Sequence, residues 1–374
     1  MTALTFSNGQ ALINGALIHA DIFVANGMIV EQAAQGAQVI DATGLLVLPG
    51  IIDIHGDAFE RQIQPRPGIN FPIDLALADT ERQLLANGIT TAFHGVTLSW
   101  EPGLRGIETW RVLLDALDTH DSVCDMRVHL RWEAFNLDAL DTALADIAAG
   151  RVHLLAFNDH TPSIIKRLAD DAKTSKYSER GNVSLDAFRA LGQVVAARAP
   201  AVPAARDRIA AAARAAGLPM ASHDDDTIET RAHFRALGAA ICEFPMEEAV
   251  GRAAISAGEA VVMGAPNVVR GGSHLGWASA AKMAEAGVCS VLASDYYYPA
   301  MLRAAFILAG RGVLTLPQAW ALIAENPARA AKLQDRGTIA PGKRADLVLV
   351  NGSGPTPVLH ATIAGGRVAW RSPT

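Results

Sequence analysis

Short apolar runs recur through the middle of the chain, and each is followed by a stretch rich in Ala and Leu. The Val, Ile, Leu and Ala positions within a run are continuous, as expected of strands that are covered on both faces. Strands that alternate with helical stretches predict parallel βα units. The eight runs are GIIDIHGD, TTAFHGV, VHLRWE, VHLLAFNDH, PMASHDD, AAICEFP, AVVMGAP and CSVLASDYY. This pattern predicts an α/β fold with a TIM-like (β/α)8 barrel over residues 49–335.

The two ends of the chain have a different pattern, in which short alternating segments are separated by turn residues. The first stretch carries Asn-Gly pairs at residues 14–15 and 26–27, which are typical of tight hairpins. The last stretch, from RGTIAPGKRADLVLV to GRVAW, again breaks short apolar segments with Gly and Pro. The sequence therefore predicts that residues 1–48 and 336–374 form one composite β subdomain, a small β-sandwich.

A charged stretch at about residues 163–206 interrupts the alternation of strands and helices. It contains KRLADDAKTSKYSERGNVSLDAFRAL, which has helical character. One interpretation is a solvated helical excursion. The other is a lid, because long insertions after barrel strands often cover active sites.

Polar side chains mark the ends of nearly all the apolar runs. The C-terminal ends of barrel strands converge on one mouth, where the active sites of this fold are built. A polar residue at one strand end is common, but its repetition at seven of the eight runs predicts a site. The residues are His55 with Asp57, His94, Glu133, Asp159 with His160, His223, Glu243 and Asp295.

Imidazole and carboxylate groups are donors that hold divalent metals in proteins. Their number here predicts two ions, for which zinc is favoured, while manganese and iron also fit such ligands. Asp295 is also predicted to be the general base, since a carboxylate at that strand end can take a proton from water. The predicted metal ligands are His55, Asp57, Glu133, His160, His223 and Asp295.

Several of these positions leave alternatives open. The alternative for Glu133 is a structural ion pair with Arg131. Of Asp159 and His160, one is a ligand and the other orients it, with a slight preference for His160 as the ligand. Glu243 is either a ligand itself or a buried group that orients one. We assign the orienting role to Asp159, Asp224 and Glu243.

Composition and charge narrow the function classes. Half of the residues are apolar and 19% are charged, as in a compact globular protein. A net charge of −6 without a basic run argues against a nucleic-acid partner. The chain shows no leader-like start and no apolar run of about 18 residues, so we expect a cytoplasmic protein without a membrane partner. The three cysteines form no CxxC pair and are expected to be free thiols.

The segment GAPNVVRGGSH follows the seventh run and offers cationic and backbone donors. It supplies Arg270, the backbone amide of Gly272 and the side chain of His274. Gly-rich turns at this place in a barrel commonly bind phosphate. No GxSxG elbow, Walker motif or dinucleotide fingerprint is present, so serine-nucleophile and phosphate-loop chemistry lose support.

Together these motifs resemble the amidohydrolase superfamily. The resemblance rests on LPGIIDIHGD, the fifth-strand His223, SDYYY of the eighth strand and GTIAPGKRADLVLV. Two positions depart from the usual pattern, because Asp57 and Glu243 stand where histidines are usual. With these departures the chain is most similar to the PhnM family of α-D-ribose 1-methylphosphonate 5-triphosphate diphosphatases of the carbon–phosphorus lyase pathway. The motifs that carry this resemblance are HGDAFERQIQPRPG, NGITTAFHGV, HLRWE, NDHTP, ASHDDDT, CEFP, MGAPNVVRGGSH and SDYYYPA.

The resemblance implies hydrolysis of a small sugar triphosphate to its 5-phosphate and pyrophosphate during phosphonate metabolism. The charge of a triphosphate must be offset by metals and cations. The candidate cations are Arg61, Arg66, Arg270 and His274. The alternative enzyme is an amidohydrolase acting on a cyclic amide or an N-acyl amino acid. A third interpretation, a noncatalytic barrel without metals, is opposed by the many ligand-type residues. The sequence is compatible with a homo-oligomer but does not specify one.

Overall fold

The computed structural model describes residues 3–271 and 279–373. The first part of the chain forms short strands joined by tight turns, as the alternating pattern predicts. Asn14 and Asn26 have positive φ and are each followed by a glycine, which is the backbone that a two-residue hairpin turn requires. The strands are β1 (Leu4–Ser7), β2 (Gln10–Ile13), β3 (Ala16–His19), β4 (Ile22–Ala25), β5 (Met28–Val30), β6 (Gln38–Asp41) and β7 (Leu46–Pro49).

The middle of the chain forms a barrel of eight parallel strands in sequential order, which confirms the predicted fold class. The first and last of them approach through a parallel bridge between Gly56 and Asp295. Two backbone hydrogen bonds support this closure, from the Asp295 N–H to the His55 carbonyl and from the Asp57 N–H to the Asp295 carbonyl. The strands are β8 (Ile51–Gly56), β9 (Ile89–Leu98), β10 (Asp125–Glu133), β11 (Leu154–Asn158), β12 (Met220–His223), β13 (Ile241–Glu243), β14 (Ala260–Gly264) and β15 (Val291–Ala293).

Helices surround the barrel and bury their apolar sides against its outer face. The α-helices are α1 (Glu60–Ile63), α2 (Ile73–Ala86), α3 (Ile107–Thr119), α4 (Leu140–Ala148), α5 (Thr161–Arg167), α6 (Asp171–Gly181), α7 (Leu185–Ala196), α8 (Val202–Ala215), α9 (Ile228–Ala236), α10 (Glu248–Ser256), α11 (Ala265–Arg270), α12 (Ala280–Glu285), α13 (Ala300–Gly310), α14 (Leu316–Ala321) and α15 (Glu325–Ala330). Short 3-10 turns occur at Gly103–Arg105, Leu137–Ala139 and Ala199–Ala201.

Helices α5 to α8 contain the predicted insertion, and they pack onto the loop that follows β9. The indole N–H of Trp100 in that loop donates to Thr161 at 2.8 Å, and its ring centre lies 5.4 Å from that of Phe188. Phe188 is fully buried. The insertion therefore has its own apolar contacts beside the mouth of the barrel, while its role as a lid stays a prediction.

The end of the chain adds β16 (Leu347–Asn351), β17 (Val358–Ala364) and β18 (Arg367–Arg371). These strands join β7, β2 and β3 in a six-stranded sheet, and β5, β4, β1 and β6 form a second sheet of four strands. The six-stranded sheet combines strands from both chain ends, which confirms the predicted β subdomain. Among the residues that the structure covers, no helix is long and apolar enough to cross a membrane.

The inside of the barrel is a separate apolar cluster. It draws residues from nearly every barrel strand, as expected of a filled barrel in which each strand contributes inward-facing side chains. This packed layer lies beneath the polar residues of the mouth. Its buried members are Ile52, Ile54, Phe93, Leu154, Ala156, Ala221, Ile241, Val262, Val291, Ala293, Ala328 and Ala331.

Candidate active site

The backbone at the barrel mouth is unusual directly after three strands. Asp224, Phe244 and Asp295 follow β12, β13 and β15 and have φ values of 58°, 52° and 56°. Non-glycine residues in this region cost about 1–3 kcal/mol each and cluster at functional sites. Each of the three still donates its N–H to the neighbouring strand, at 2.9 Å in every case. The backbone of the mouth is therefore strained at these three residues, while their N–H groups stay hydrogen-bonded.

The first strand also departs from regular pairing close to the site. The register of β8 against β9 shifts between Asp53 and Gly56. A Cβ atom at Gly56 would lie 2.6 Å from Asp53 Oδ2 and 2.9 Å from Ser294 Oγ, so only glycine fits there. Through this irregularity the ring of His55 reaches the mouth, where its centre lies 5.3 Å from that of His223.

A first group of metal-type donors is formed by His55, His223 and Glu243. Glu243 Oε2 lies 3.0 Å from His55 Nδ1 and 3.3 Å from His223 Nδ1. Ligands bonded at about 2.1 Å to one ion are separated by about 3.0–3.4 Å, so these spacings fit a common ion. His55 Nδ1 and Glu243 Oε1 are buried without a hydrogen-bond partner. These atoms suit a divalent cation.

A second group consists of His160, His223 and Asp224, so that His223 belongs to both groups. His160 Nε2 lies 3.7 Å from Asp224 Oδ2, and His160 Nδ1 lies 2.5 Å from Glu133 Oε1. Burial alone would lower the pKa of His160, but the Asp224 and Glu133 carboxylates raise it to about 9. Glu133 therefore contacts a candidate ligand, and a cation bound there would compete with a proton on His160.

Asp57 and Asp295 complete the predicted set at the seam of the barrel. Burial, with the neighbouring Asp57 charge adding to it, raises the pKa of Asp295 to about 6. Burial and the charge of Glu60 likewise raise the pKa of Asp57. A carboxylate with its pKa near 6 is ionised at neutral pH yet is a better proton acceptor than an ordinary aspartate.

Asp159, which was predicted to orient a ligand, belongs to neither donor group. Its side chain is exposed and lies 3.3 Å from Arg206 Nη2. Asp159 lines a cavity of about 530 Å³ between the start of α9 and Arg206 of α8, together with the candidate donors His160, His223 and Asp224. The structure thus places His160, not Asp159, among the donors.

Two other expectations need correction. His94 does not end its strand, because β9 continues to Leu98. Its ring packs against Phe59 on the outer side of the sheet, and burial lowers its pKa to about 4.

The alternative pairing of Glu133 with Arg131 is also wrong. Arg131 instead lies 3.5 Å from Asp57 Oδ2 and 3.2 Å from His223 Nε2.

The predicted substrate cations lie at the rim of the barrel, and two of them contact the same loop residue. Arg61 and Arg270 are exposed and donate respectively to the carbonyl and, at 3.2 Å, to the hydroxyl of Tyr296. Arg66 is exposed in the loop after α1. Gly272 and His274 lie outside the described residues.

Sequence reasoning missed three buried polar residues around the mouth. Asp53 accepts hydrogen bonds from the backbone and hydroxyl of Ser294 at 3.0 and 2.5 Å, which ties β8 to the end of β15. His129 lies beneath Glu243, at 3.8 Å between Nε2 and Oε1, with its Nδ1 3.1 Å from the Ile54 carbonyl. Arg131 was noted only as a partner for Glu133. The alternation of His129, Arg131 and Glu133 along one strand face was the available signal.

Comparison with known proteins adds sequence evidence. The chain is 33% identical over 361 residues to the α-D-ribose 1-methylphosphonate 5-triphosphate diphosphatase of Escherichia coli strain K12, covering 93% of this chain and 95% of that protein. A dihydroorotase of Lactobacillus helveticus is 46% identical over only 50 residues, which are 13% of this chain and 12% of that enzyme. The similarity to the diphosphatase therefore extends far beyond a local motif.

Solved structures share the fold at low sequence identity. A dihydropyrimidinase from Brevibacillus agri superposes with a TM-score of 0.60 at 14% identity, covering 99% of this chain and 95% of that one. A β-aspartyl dipeptidase from Fervidobacterium islandicum gives 0.65 at 14% identity, covering 99% and 97%. The sequence profile of the amidohydrolase family matches residues 46–369. The chain therefore belongs to the amidohydrolase family.

Proposed function

We propose that this protein hydrolyses the 5-triphosphate of α-D-ribose 1-methylphosphonate to the 5-phosphate and pyrophosphate, in the cytoplasmic breakdown of phosphonates. The observation that carries the proposal is the similarity to the Escherichia coli diphosphatase, which covers 93% of this chain. The matching dihydroorotase segment covers 13%. The replacement of two customary histidines by Asp57 and Glu243 also sets the mouth apart from amide-hydrolysing relatives.

The donor atoms of the mouth fit divalent cations, and we propose two of them. His55, His223 and Glu243 would hold one ion, and His160, Asp224 and the shared His223 lie where a second would bind. Glu133, Asp57 and Asp295 surround these groups and supply further carboxylate oxygens. A bound divalent ion would polarise water and the phosphoryl oxygens. Zinc is the favoured ion, and manganese or iron also suit imidazole and carboxylate ligands.

Asp295 is the proposed general base. Its place beside Asp57, at the seam between β15 and β8, puts a carboxylate of raised pKa at the edge of the donor groups. In the reaction the oxygen of water forms a bond to phosphorus, and its proton passes to Asp295. The bond between that phosphorus and the bridging oxygen breaks, and pyrophosphate leaves with the electron pair.

The rim arginines are proposed to bind the outer phosphates. Arg61 and Arg270 converge on Tyr296, so two cations lie together on one side of the mouth. Arg66 and the segment with Gly272 and His274 are the further candidates that the sequence suggests. Charge-assisted hydrogen bonds from such groups hold a polyanion while the mouth performs the chemistry.

A direct test is to load the purified protein with zinc or manganese and follow the sugar triphosphate by phosphorus NMR. We expect stoichiometric release of pyrophosphate and the sugar 5-phosphate. Dihydroorotate and an N-acyl amino acid serve as matched amide substrates, and we expect neither to turn over at a comparable rate. Amide hydrolysis with an intact triphosphate would replace the proposal with the amidohydrolase alternative.

A further inference from the structure

Arg131 is a charged side chain built into the interior of the mouth. It lies between His129 and Glu133 on the same face of β10 and is only 6% exposed. The neighbouring strand makes room for it, since a Cβ atom at Gly95 would lie 3.2 Å from Arg131 Cδ. A permanently charged guanidinium therefore lies among the candidate metal ligands. Burying such a charge costs free energy unless it is paired with an opposite charge or binds a ligand.

The other buried arginines have close carboxylate partners, whereas the carboxylate nearest to Arg131 lies farther away. Arg336 Nη1 lies 2.5 Å from Asp125 Oδ2. Arg231 Nε lies 3.1 Å from Glu259 Oε2. The carboxylate that pairs with Arg131 is Asp57, at 3.5 Å. The other close polar contacts of Arg131 are with groups that carry no negative charge, His223 Nε2 at 3.2 Å and the side-chain amide oxygen of Asn158 at 3.2 and 3.3 Å. The charge of Arg131 thus remains available to an incoming anion.

The contact with His223 depends on where that ring carries its hydrogen. Arginine can only donate, so His223 Nε2 must accept from Arg131, and the hydrogen of the neutral ring then lies on Nδ1, facing Glu243 at 3.3 Å. When Nδ1 is a metal ligand, the hydrogen must lie on Nε2 instead. Nε2 can then no longer accept a hydrogen bond from Arg131. The positive charge of a bound ion would also repel the guanidinium from its position beside His223.

We propose that Arg131 is a catalytic residue that binds the phosphoryl group under attack, and that His223 holds it in place until Nδ1 of this histidine binds a metal ion. The inference rests on the proposed function. Phosphoryl transfer places negative charge on the phosphoryl oxygens and on the departing pyrophosphate, and an arginine supplied there can stabilise both. Arg131 makes and breaks no covalent bond; its five N–H donors bind the developing charge.

The test compares pyrophosphate binding to metal-loaded wild-type protein and to Arg131→Gln by calorimetry, with metal content measured by mass spectrometry. We expect the variant to retain its metal and to bind pyrophosphate about 10- to 100-fold more weakly, because it lacks a charge-assisted contact. Arg127→Gln is the matched control. Arg127 lies on the same strand as Arg131 and pairs with Asp125 at 2.9 Å. The pyrophosphate affinity of this control variant should equal that of wild type.

Arg131→Lys keeps the charge inside the barrel and guards against a folding defect in the glutamine variant. It should bind pyrophosphate more weakly than wild type but more tightly than Arg131→Gln. In wild-type protein, nitrogen NMR of His223 should show the ring hydrogen moving from Nδ1 to Nε2 on zinc addition. Unchanged pyrophosphate affinity in both variants, or a His223 hydrogen that stays on Nδ1, would overturn the inference.

The outcomes also separate this inference from the function on which it rests. If loaded wild-type protein neither binds pyrophosphate nor hydrolyses the sugar triphosphate, the proposed function fails and the inference fails with it. If wild type does both and the Arg131 variants match it, only the inference fails. A large fall in melting temperature with unchanged pyrophosphate affinity would assign Arg131 a purely structural role.

Discussion

Buried charged side chains are closely paired at one end of the barrel and incompletely paired at the other. At the end away from the mouth, Arg336 is 6% exposed and has a partner for each side of its guanidinium. It donates to Asp125 at 2.5 Å, to Thr91 at 2.8 Å and to both oxygens of Asp335 at 2.9 and 3.0 Å. Because Asp125 and Thr91 lie near the starts of β10 and β9, this network ties the barrel to the segment that enters the β subdomain.

At the mouth the same kinds of groups are left incompletely paired. Arg131 is equally buried, yet its carboxylate partner is 3.5 Å away. His55 Nδ1, His129 Nε2 and Glu243 Oε1 are buried without hydrogen-bond partners. Unsatisfied buried polar groups are costly and usually have a functional explanation. The comparison indicates that the closed end stabilises the fold, while the open end keeps donors and charge for ligands.

The largest effect that separates the two ends is expected from Asp295→Asn. The amide cannot take a proton from the attacking water, so turnover should fall by about 100- to 10,000-fold. Melting temperature and metal content should stay close to those of wild type, because the backbone hydrogen bonds of residue 295 are unchanged. Turnover is measured by pyrophosphate release, and a rate equal to wild type would remove Asp295 from the chemistry.

Arg336→Met should act in the opposite sense, on stability and not on chemistry. Removing one partner of a buried ion pair costs about 3–5 kcal/mol, and we expect a loss at the lower end of this range because Asp125 keeps its 2.9 Å contact with Arg127. Turnover per folded molecule should match that of wild type. Arg111→Met removes an exposed pair with Glu108 and should change the free energy of unfolding by less than about 0.5 kcal/mol. Urea titration checks both variants, and equal stabilities would contradict the contrast between a buried network and a surface pair.

Arg270→Ala should give an intermediate effect at the rim. Loss of its charge-assisted contact should weaken substrate and pyrophosphate binding about 10- to 100-fold. Stability should change little, since Arg270 is exposed and lies at the end of the short helix α11. Pyrophosphate inhibition and melting temperature are measured on one preparation. Unchanged inhibition with a large loss of stability would assign Arg270 a structural role.

The smallest effect concerns pH. The raised pKa of Asp295, about 6, means that this carboxyl is protonated and inactive as a base below that pH and ionised above it. The rate constant kcat/KM should therefore rise with pH and level off above the apparent pKa, with about a tenfold loss for each unit below it. A bound cation would move this limb to lower pH. A profile that shows no acidic limb between pH 4 and 8 would contradict the assignment.

The sequence was most informative where one physical rule applied to every strand. Continuous apolar runs predicted all eight barrel strands. Three of the polar residues at their ends, His55, His223 and Glu243, lie together in the structure, although Glu243 was assigned an orienting role. The same rule failed at His94, because the apolar pattern of β9 continues to Leu98 and the run was ended too early. Strand ends are read from composition, whereas the true end depends on pairing with the neighbouring strand.

The partners of charged residues were harder to predict because they depend on three-dimensional packing. The sequence offered Glu133, two residues away, as an alternative partner of Arg131, but its contacts in the structure are Asp57, His223 and Asn158. The register shift in β8 and the glycine at position 95 that make this possible have no distinctive sequence pattern. The partner of Asp159 was equally hard to predict, because the side chain accepts a hydrogen bond from Arg206, which lies 47 positions along the chain.

The most direct test of the central claim is a crystal structure with manganese and pyrophosphate, using anomalous scattering to locate the metal. We expect a cation within about 2.0–2.3 Å of nitrogen and oxygen donors from His55, His223 and Glu243. We also expect pyrophosphate to bind at this mouth, between the cation and the rim arginines. A cation bound elsewhere, with pyrophosphate absent from the mouth, would contradict the assignment of this end of the barrel as the site of triphosphate hydrolysis.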